Sequence, residues 1–193
     1  MRAVMQYIHK QEIPPVDWDL WFTIQSEDGI RRSYDYGIDC PALLNLHLAK
    51  GFLLNEQNGL CAYCQKTLNN EDASIEHIAP KEHNLPLSTN YYNLVAVCRN
   101  PVKDPVNGRS HCDKERGGKL LPTLIFYKNC NVTATKSNAY FEVYSNRGIL
   151  PKNILSQEIK SQVQSFIDIL NLNSHLVVSK PRKGCSFRNI GCL

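Results

Sequence analysis

Cys61-Ala62-Tyr63-Cys64, Ile75-Glu76-His77-Ile78-Ala79-Pro80-Lys81, Asn93-Leu94, Cys98 and His111-Cys112 are the stretches whose reading decides the fold. A Cys-x-x-Cys turn brings two thiolates to the same side of a tight loop. Joined by Cys98 and Cys112, it offers four sulfurs to a tetrahedral zinc, with Zn–S near ~2.3 Å. Such a site has no place for water, so the metal is expected to be structural and to fasten the 61–64 turn to the 98–112 segment. Cys98 and Cys112 are far apart for a second knuckle, and His111 stands as an alternative fourth ligand. Two other readings compete: buried thiols without metal, and a redox pair. The redox pair needs a long helix after the motif, and Gln65-Lys66-Thr67-Leu68-Asn69-Asn70 does not read as one.

Between the cysteines, residues 73–79 read as a strand and 93–98 as its partner, with a polar loop from Pro80 to Asn90. Adjacent strand residues point to opposite faces. Glu76 and His77 therefore share one centre only if the strand bends or ends there, and Pro80 supports an end. An imidazole with a pKa near ~6.5 suits a base that activates water. A carboxylate suits Mg²⁺ or Mn²⁺, which prefer oxygen ligands. A base for water and a cation on the leaving oxygen are the requirements of phosphodiester hydrolysis.

Outward from this core, Asp39-Cys40-Pro41 opens an expected helix, with Leu44, Leu48 and Phe52 on one face and a stop at Asn58-Gly59. Residues 112–118 begin a short helix that Gly117-Gly118 ends. Residues 123–127 and 139–144 read as strands. Pro151 opens a second helical region, in which Ile159, Val163, Phe166, Ile167 and Leu170 make an amphipathic face. The expected organisation is an N-terminal aromatic arm over 1–38 packed on the core, a core with the zinc knuckle over 39–122, and C-terminal strands and helix of the same domain over 123–180. A basic tail follows over 181–193.

Composition sets the outer bounds. The chain has 42% hydrophobic and 21% charged residues, as an ordinary globule does. No apolar run approaches the ~20 residues of a bilayer span, and Met1-Arg2-Ala3-Val4-Met5-Gln6 lacks a secretory signal's apolar core, so a cytoplasmic protein is expected, without a membrane partner. Eight cysteines are many for a reducing compartment, where clustered thiols read as metal ligands. Cys40, Cys130, Cys185 and Cys192 have no short-spaced partner and read as free thiols. The net charge of +4 is compatible with a phosphate-backbone partner.

The pattern Cys61-x-x-Cys64, Ile75-Glu76-His77-Ile78-Ala79-Pro80-Lys81, Asn93-Leu94 and Cys98…His111-Cys112 resembles the HNH endonuclease superfamily. Asn55 to Cys64, His111-Cys112-Asp113-Lys114-Glu115-Arg116-Gly117 and Leu170-Asn171-Leu172-Asn173 extend the likeness to the PtuB-type HNH nucleases of Septu antiphage systems and retrons. The resemblance covers roughly residues 50–180. It implies an α+β fold with a ββα-metal core, and a structural Zn²⁺ beside a catalytic Mg²⁺ or Mn²⁺. It implies His77 as general base, Glu76 as metal ligand, and Asn93 as the residue that ties the loop together. The superfamily's last His or Asn, a metal ligand on the helix, has no match here. Asp113 is the nearest candidate and Glu115 the next. The resemblance also implies a partner, a PtuA-like SMC-type ATPase, and a role in antiphage defence.

Lys81, Arg99, Lys103, Arg109, Lys114, Arg116 and Lys119 surround the centre in sequence. Of these, Lys81, Arg109, Lys114 and Arg116 are the expected contacts to the phosphates of DNA or tRNA. Tyr91 and Tyr92 are expected to pack against the knuckle, with base stacking as the alternative. The rival to an endonuclease is a non-catalytic zinc module that binds nucleic acid or a protein partner. The Glu76-His77 pair discriminates, because a pure binding module has no need of it.

Overall fold

The computed structural model describes residues 8, 10–25, 31–33, 46–99, 101–122, 140–144, 148–174 and 177. Its elements in chain order are α1 (Trp18–Trp21), β1 (Thr23–Gln25), β2 (Arg31–Ser33), α2 (Leu46–Glu56), β3 (Ala73–His77), β4 (Leu94–Cys98), α3 (Asp113–Arg116), β5 (Phe141–Tyr144), β6 (Gly148–Pro151) and α4 (Gln157–Ile169). Single 3-10 turns at Leu85–Leu87 and Tyr91–Asn93 precede β4. The strands pair as three antiparallel hairpins, β1–β2, β3–β4 and β5–β6. The architecture is α+β: short helices around small antiparallel sheets.

The central hairpin holds the frame. β4 reads Leu-Val-Ala-Val-Cys and is buried along its whole length, as a strand covered on both faces must be. Each such Leu or Val contributes about 1.5–3 kcal/mol through removal from water. Its register against β3 runs from Ala73 opposite Cys98 to His77 opposite Leu94. The outer edge of β4 is covered by a side chain. The Gln57 amide donates to the Ala96 carbonyl at 2.7 Å and accepts from the Ala96 N–H at 2.8 Å, as a neighbouring strand's peptide would. The third hairpin has the same device. Asn173 accepts from Ile149 N–H at 2.7 Å and donates to its carbonyl at 2.9 Å.

Helix α2 ends as the sequence predicts. Asn58 and Gly59 adopt left-handed backbone, and Gly59 N–H returns to the Leu54 carbonyl at 2.8 Å, closing the helix. Its inward face differs from the expectation. Ala49, Leu53 and Leu54 are buried, while Leu48 is exposed. Leu-His-Leu-Ala-Lys-Gly-Phe-Leu-Leu is apolar on several sides, so packing chooses the face. Leu44 lies outside the described residues, as do the expected helix start at 39–41, the strand at 123–127, the tail, and Cys40, Cys130, Cys185 and Cys192.

The C-terminal region also departs from the reading at one point. Pro151 closes β6 rather than opening a helix, which it is suited to do at a strand's end. Helix α4 starts after Ser156, whose hydroxyl caps the Ile159 N–H. Its apolar stripe is as expected: Val163, Phe166, Ile167 and Leu170 are buried.

The N-terminal arm lands on one short segment. Trp18 is buried between Phe22, Phe52 and Tyr91, and its indole N–H donates to the Thr89 carbonyl at 2.9 Å. Gln11 N–H donates to the Tyr91 hydroxyl at 3.0 Å. The Tyr92 hydroxyl bonds the Glu12 carbonyl. Lys10, wholly buried, pairs with Glu56 at 3.1 Å and lies over the Tyr91 ring. Burial lowers the Lys10 pKa to about 8, with Glu56 pulling it back up. Tyr91 and Tyr92 thus pack on the arm and α2 rather than on the knuckle.

Candidate metal centre and hydrolytic site

The knuckle is built by a tight hairpin. Cys61 N–H bonds the Lys66 carbonyl at 2.9 Å, Leu68 N–H bonds the Gly59 carbonyl at 2.8 Å, and Gln65 takes left-handed backbone at the bend. Ala62 N–H then joins the β4 edge through the Ala96 carbonyl at 3.0 Å. This sets Cys61 and Cys64 beside Cys98 at the end of β4.

Cys112 arrives from the other side of the molecule. Its N–H bonds the Leu170 carbonyl at 3.0 Å, where α4 ends. Asn171, in left-handed backbone, donates from its amide to the Ser110 carbonyl at 2.6 Å. Cys112 itself has a φ of 56°, a conformation costing a non-glycine residue about 1–3 kcal/mol unless its surroundings hold it there. Asn171 was not singled out by chemistry in the sequence. The Leu170–Asn173 repeat within the resemblance was the signal that could have found it.

All four cysteines are buried, and their sulfurs lie within 4.8 Å of one another. Cys61 and Cys112 sulfurs are 3.8 Å apart, and Cys64 and Cys98 are 3.5 Å apart. A zinc tetrahedron with bonds near ~2.3 Å has edges of about 3.8 Å, so the quartet is sized for the ion. Burial pushes the Cys61 thiol up, but hydrogen bonds from Cys112, Cys64 and Cys98 outweigh it and hold this thiol well below the ordinary range. His111 is not in the quartet. Its Nδ1 lies 3.1 Å from the Cys112 sulfur, the place of a group that steadies a ligand from outside. Four buried cysteines this close could hold a zinc ion.

The second centre begins where β3 ends. His77 is the last residue of the strand and still pairs with Leu94. His77 Nε2 lies 2.8 Å from the Ser88 carbonyl. A carbonyl only accepts, so Nε2 carries the proton and Nδ1 is the basic nitrogen. Burial lowers the His77 pKa, and the nearby Lys81 and Arg116 charges add to that effect, keeping the ring neutral at pH 7.

Asn93 ties this loop together. Its Oδ1 accepts from Ala79 N–H at 2.7 Å, and its Nδ2 donates to the carbonyls of Ala79 and Leu87 at 3.1 and 3.0 Å. Its own carbonyl takes Ile78 N–H at 2.9 Å. The 78–87 excursion is therefore closed by one side chain.

Glu76, one residue before His77, is buried. Its Oε1 receives the Tyr63 hydroxyl at 3.1 Å and an N–H of Arg116. Burial raises the Glu76 pKa to about 7. Arg116 opposes this, and Asp113, close enough to share a hydrogen bond with it, adds to the rise. The chain thus brings Glu76 and Asp113 together across β3 and α3. Glu115 instead pairs with Arg109 at 2.6 Å on the surface. Among the described residues, the cysteine quartet is the one group of three or more His, Cys, Asp or Glu side chains with ligand atoms all within 4.8 Å. Glu76 and His77 each feel the charge of Asp113.

Arg116 corrects one expectation. It is 1% exposed and has no surface to offer a phosphate. Its guanidinium donates to Tyr63, Glu76 and the carbonyls of His77 and Ile78, and its Nε to the Lys119 carbonyl. The sequence shows a basic residue but not that the short α3 turns it inward. Lys81 and Lys114 are exposed, whereas Arg109 is engaged by Glu115.

The chain is similar to a protein of Vibrio cholerae serotype O1 biovar El Tor described as "Retron Vc95 putative HNH endonuclease". Identity is 25% over 133 residues, covering 66% of this chain. The chain spans 58% of that relative's length. No family model matches the chain. The likeness to HNH nucleases of the retron kind, first read from the cysteine and Glu-His motifs, is thus also found in a curated relative. It supports a nuclease at the level of the family. Among the described residues, no helix is long and apolar enough to cross a membrane.

Proposed function

We propose that this chain is a metal-dependent HNH endonuclease that hydrolyses nucleic-acid phosphodiesters as the effector nuclease of an antiphage defence system. The observation that carries the reading is His77, fixed by the Ser88 carbonyl, next in the strand to the buried Glu76 that shares the charge environment of Asp113, on a hairpin whose end joins the cysteine quartet through Cys98. The antiparallel β3–β4 hairpin followed by the short α3 supports reading this region as a ββα-metal core.

His77 acts as general base. Its Nε2–H is committed to the Ser88 carbonyl, so the proton of an attacking water passes to Nδ1. The Ser88 carbonyl then steadies the imidazolium that forms. Glu76 and Asp113 are the residues that would hold Mg²⁺ or Mn²⁺, which when bound stabilises charge on the leaving 3′ oxygen. Asn93 keeps the loop carrying Ser88 closed on the strand. The zinc at Cys61, Cys64, Cys98 and Cys112 is scaffold. Lys81 and Lys114 contact phosphates, and Arg109 joins them on release from Glu115. DNA and tRNA are both candidate substrates. The resemblance to PtuB-type proteins supports a PtuA-like SMC-type ATPase as partner.

The test is cleavage of single- and double-stranded DNA and of tRNA, with and without Mg²⁺, alone and with the co-expressed ATPase. We expect divalent-dependent cleavage that His77→Ala abolishes while zinc content is retained. Full residual cleavage by that variant overturns the assignment. One observation favours the rival of a non-cutting zinc module: Glu76 is already paired with Arg116. That rival predicts nucleic-acid or partner binding with no nicking under any metal condition.

A further inference from the structure

Tyr63 lies between the two cysteines of the knuckle, yet its hydroxyl reaches away from the sulfurs. It donates to Glu76 Oε1 at 3.1 Å and accepts from Arg116 at 3.0 Å. Arg116 lies three residues after Asp113 on the same short helix and bonds the same Oε1. The same Nη1 also reaches the His77 carbonyl at 2.6 Å, and Nη2 donates to the Ile78 carbonyl at 2.7 Å. Tyr63, Glu76 and Arg116 are all buried, so each bond acts with little competition from water. The knuckle, the end of β3 and α3 thus meet at one carboxylate oxygen.

A single carboxylate on a strand end can turn about its own bonds. Two donors on one oxygen fix its plane and commit that oxygen, leaving the other lone pairs for a cation shared with Asp113. Because Cys112 directly precedes α3, the quartet sets where Arg116 and Asp113 stand.

We infer that Tyr63 and Arg116 are positioning residues that orient the Glu76 carboxylate for a divalent cation held with Asp113. This rests on the endonuclease reading for the cation's role, but its geometry is separate from the cutting step. Neither residue touches substrate in this scheme. Each acts through Glu76, as groups outside a metal's ligand set do.

The informative variant is Tyr63→Phe. It keeps the ring, which packs edge-on against Phe166 with centroids 6.4 Å apart, and removes only the hydroxyl. Arg116→Lys is the second variant, keeping charge but losing the fork. Mn²⁺ uptake by the zinc-loaded full chain is followed by electron paramagnetic resonance, beside zinc content and thermal unfolding. We expect wild-type protein to take up Mn²⁺ and Tyr63→Phe to bind it about 10-fold more weakly, at the low end for such outer partners. Zinc content should be unchanged in both, with Arg116→Lys weakened as well. Superimposable Mn²⁺ isotherms for wild type and Tyr63→Phe overturn the inference, whatever happens to thermal stability. So does a wild-type protein that takes up no Mn²⁺. A shifted isotherm with no cleavage of any nucleic acid would instead sink the nuclease reading and leave the positioning role standing.

Discussion

The cysteine quartet and the Glu76–His77–Asp113 centre both draw on the β3–β4 hairpin, one through Cys98 and the other through Glu76 and His77, and are built on opposite terms. The quartet is closed: four buried sulfurs spaced like a tetrahedron, with His111 behind one of them. The second centre holds mixed charges: Asp113 disfavours a charged Glu76, Arg116 offsets that, and His77 Nε2 is held by the Ser88 carbonyl. A closed ligand set stabilises a fold, whereas an open one leaves room for water and substrate. In the proposed reading, one hairpin therefore serves both scaffold and chemistry.

The contrast breaks most readily at the scaffold. Cys98→Ser should lose zinc, and with it much of the fold, because structural zinc sites contribute about 10–16 kcal/mol of apparent binding energy to folding. Metal analysis with circular dichroism checks this. A metal-free variant with an unchanged melting curve would show that the quartet is only packing. Next in size is His77→Ala, which should cut cleavage by about 10²–10⁴-fold, the usual worth of a general base. Its zinc content and thermal midpoint should match the parent protein's, sharpening the split between the two centres.

A smaller, graded effect comes from pH. Metal binding needs Glu76 ionised, and its pKa is raised to about 7. Cleavage should fall as pH drops through that value, by about tenfold per unit where metal is limiting, since protons and metal compete for one carboxylate. His77 is shifted the other way and stays neutral over the upper part of this range. Raising Mg²⁺ should therefore move the acid limb to lower pH. A limb that ignores Mg²⁺ assigns the titration elsewhere. The smallest effect is expected from Trp18→Phe. It removes the bond to the Thr89 carbonyl and should cost about 1 kcal/mol, with only a modest change in cleavage. Thermal unfolding beside a rate measurement tests it.

Much of this comparison is legible in the sequence because its parts are local. The Cys-x-x-Cys turn, the strand ending at His77, the Asn58-Gly59 stop and the Val163–Leu170 stripe are each written within a dozen residues. What failed was decided by partners far along the chain. Arg116 reads as one more surface cation among Lys114 and Lys119 until α3 is set against Glu76 and Tyr63. Leu48 reads as core until α2 turns Ala49 and Leu53 inward. Pro151 suits a helix start as well as a strand end, and only its pairing with Phe141 decides between them.

By itself, then, the sequence determined the chemistry available: four sulfurs, a Glu-His at a strand end, and an Asn to close the loop. Residue type and short spacing fix those. The tertiary structure alone decided which groups share a charge environment. Cys112 joins the quartet because the end of α4 grips its backbone, and Asp113 meets Glu76 because Cys112 stands there. Arg116 serves that carboxylate rather than solvent because burial turns its guanidinium onto Glu76, Tyr63 and the nearby carbonyls. Electrostatic partners are chosen by distance in space, and no spacing along the chain encodes that distance.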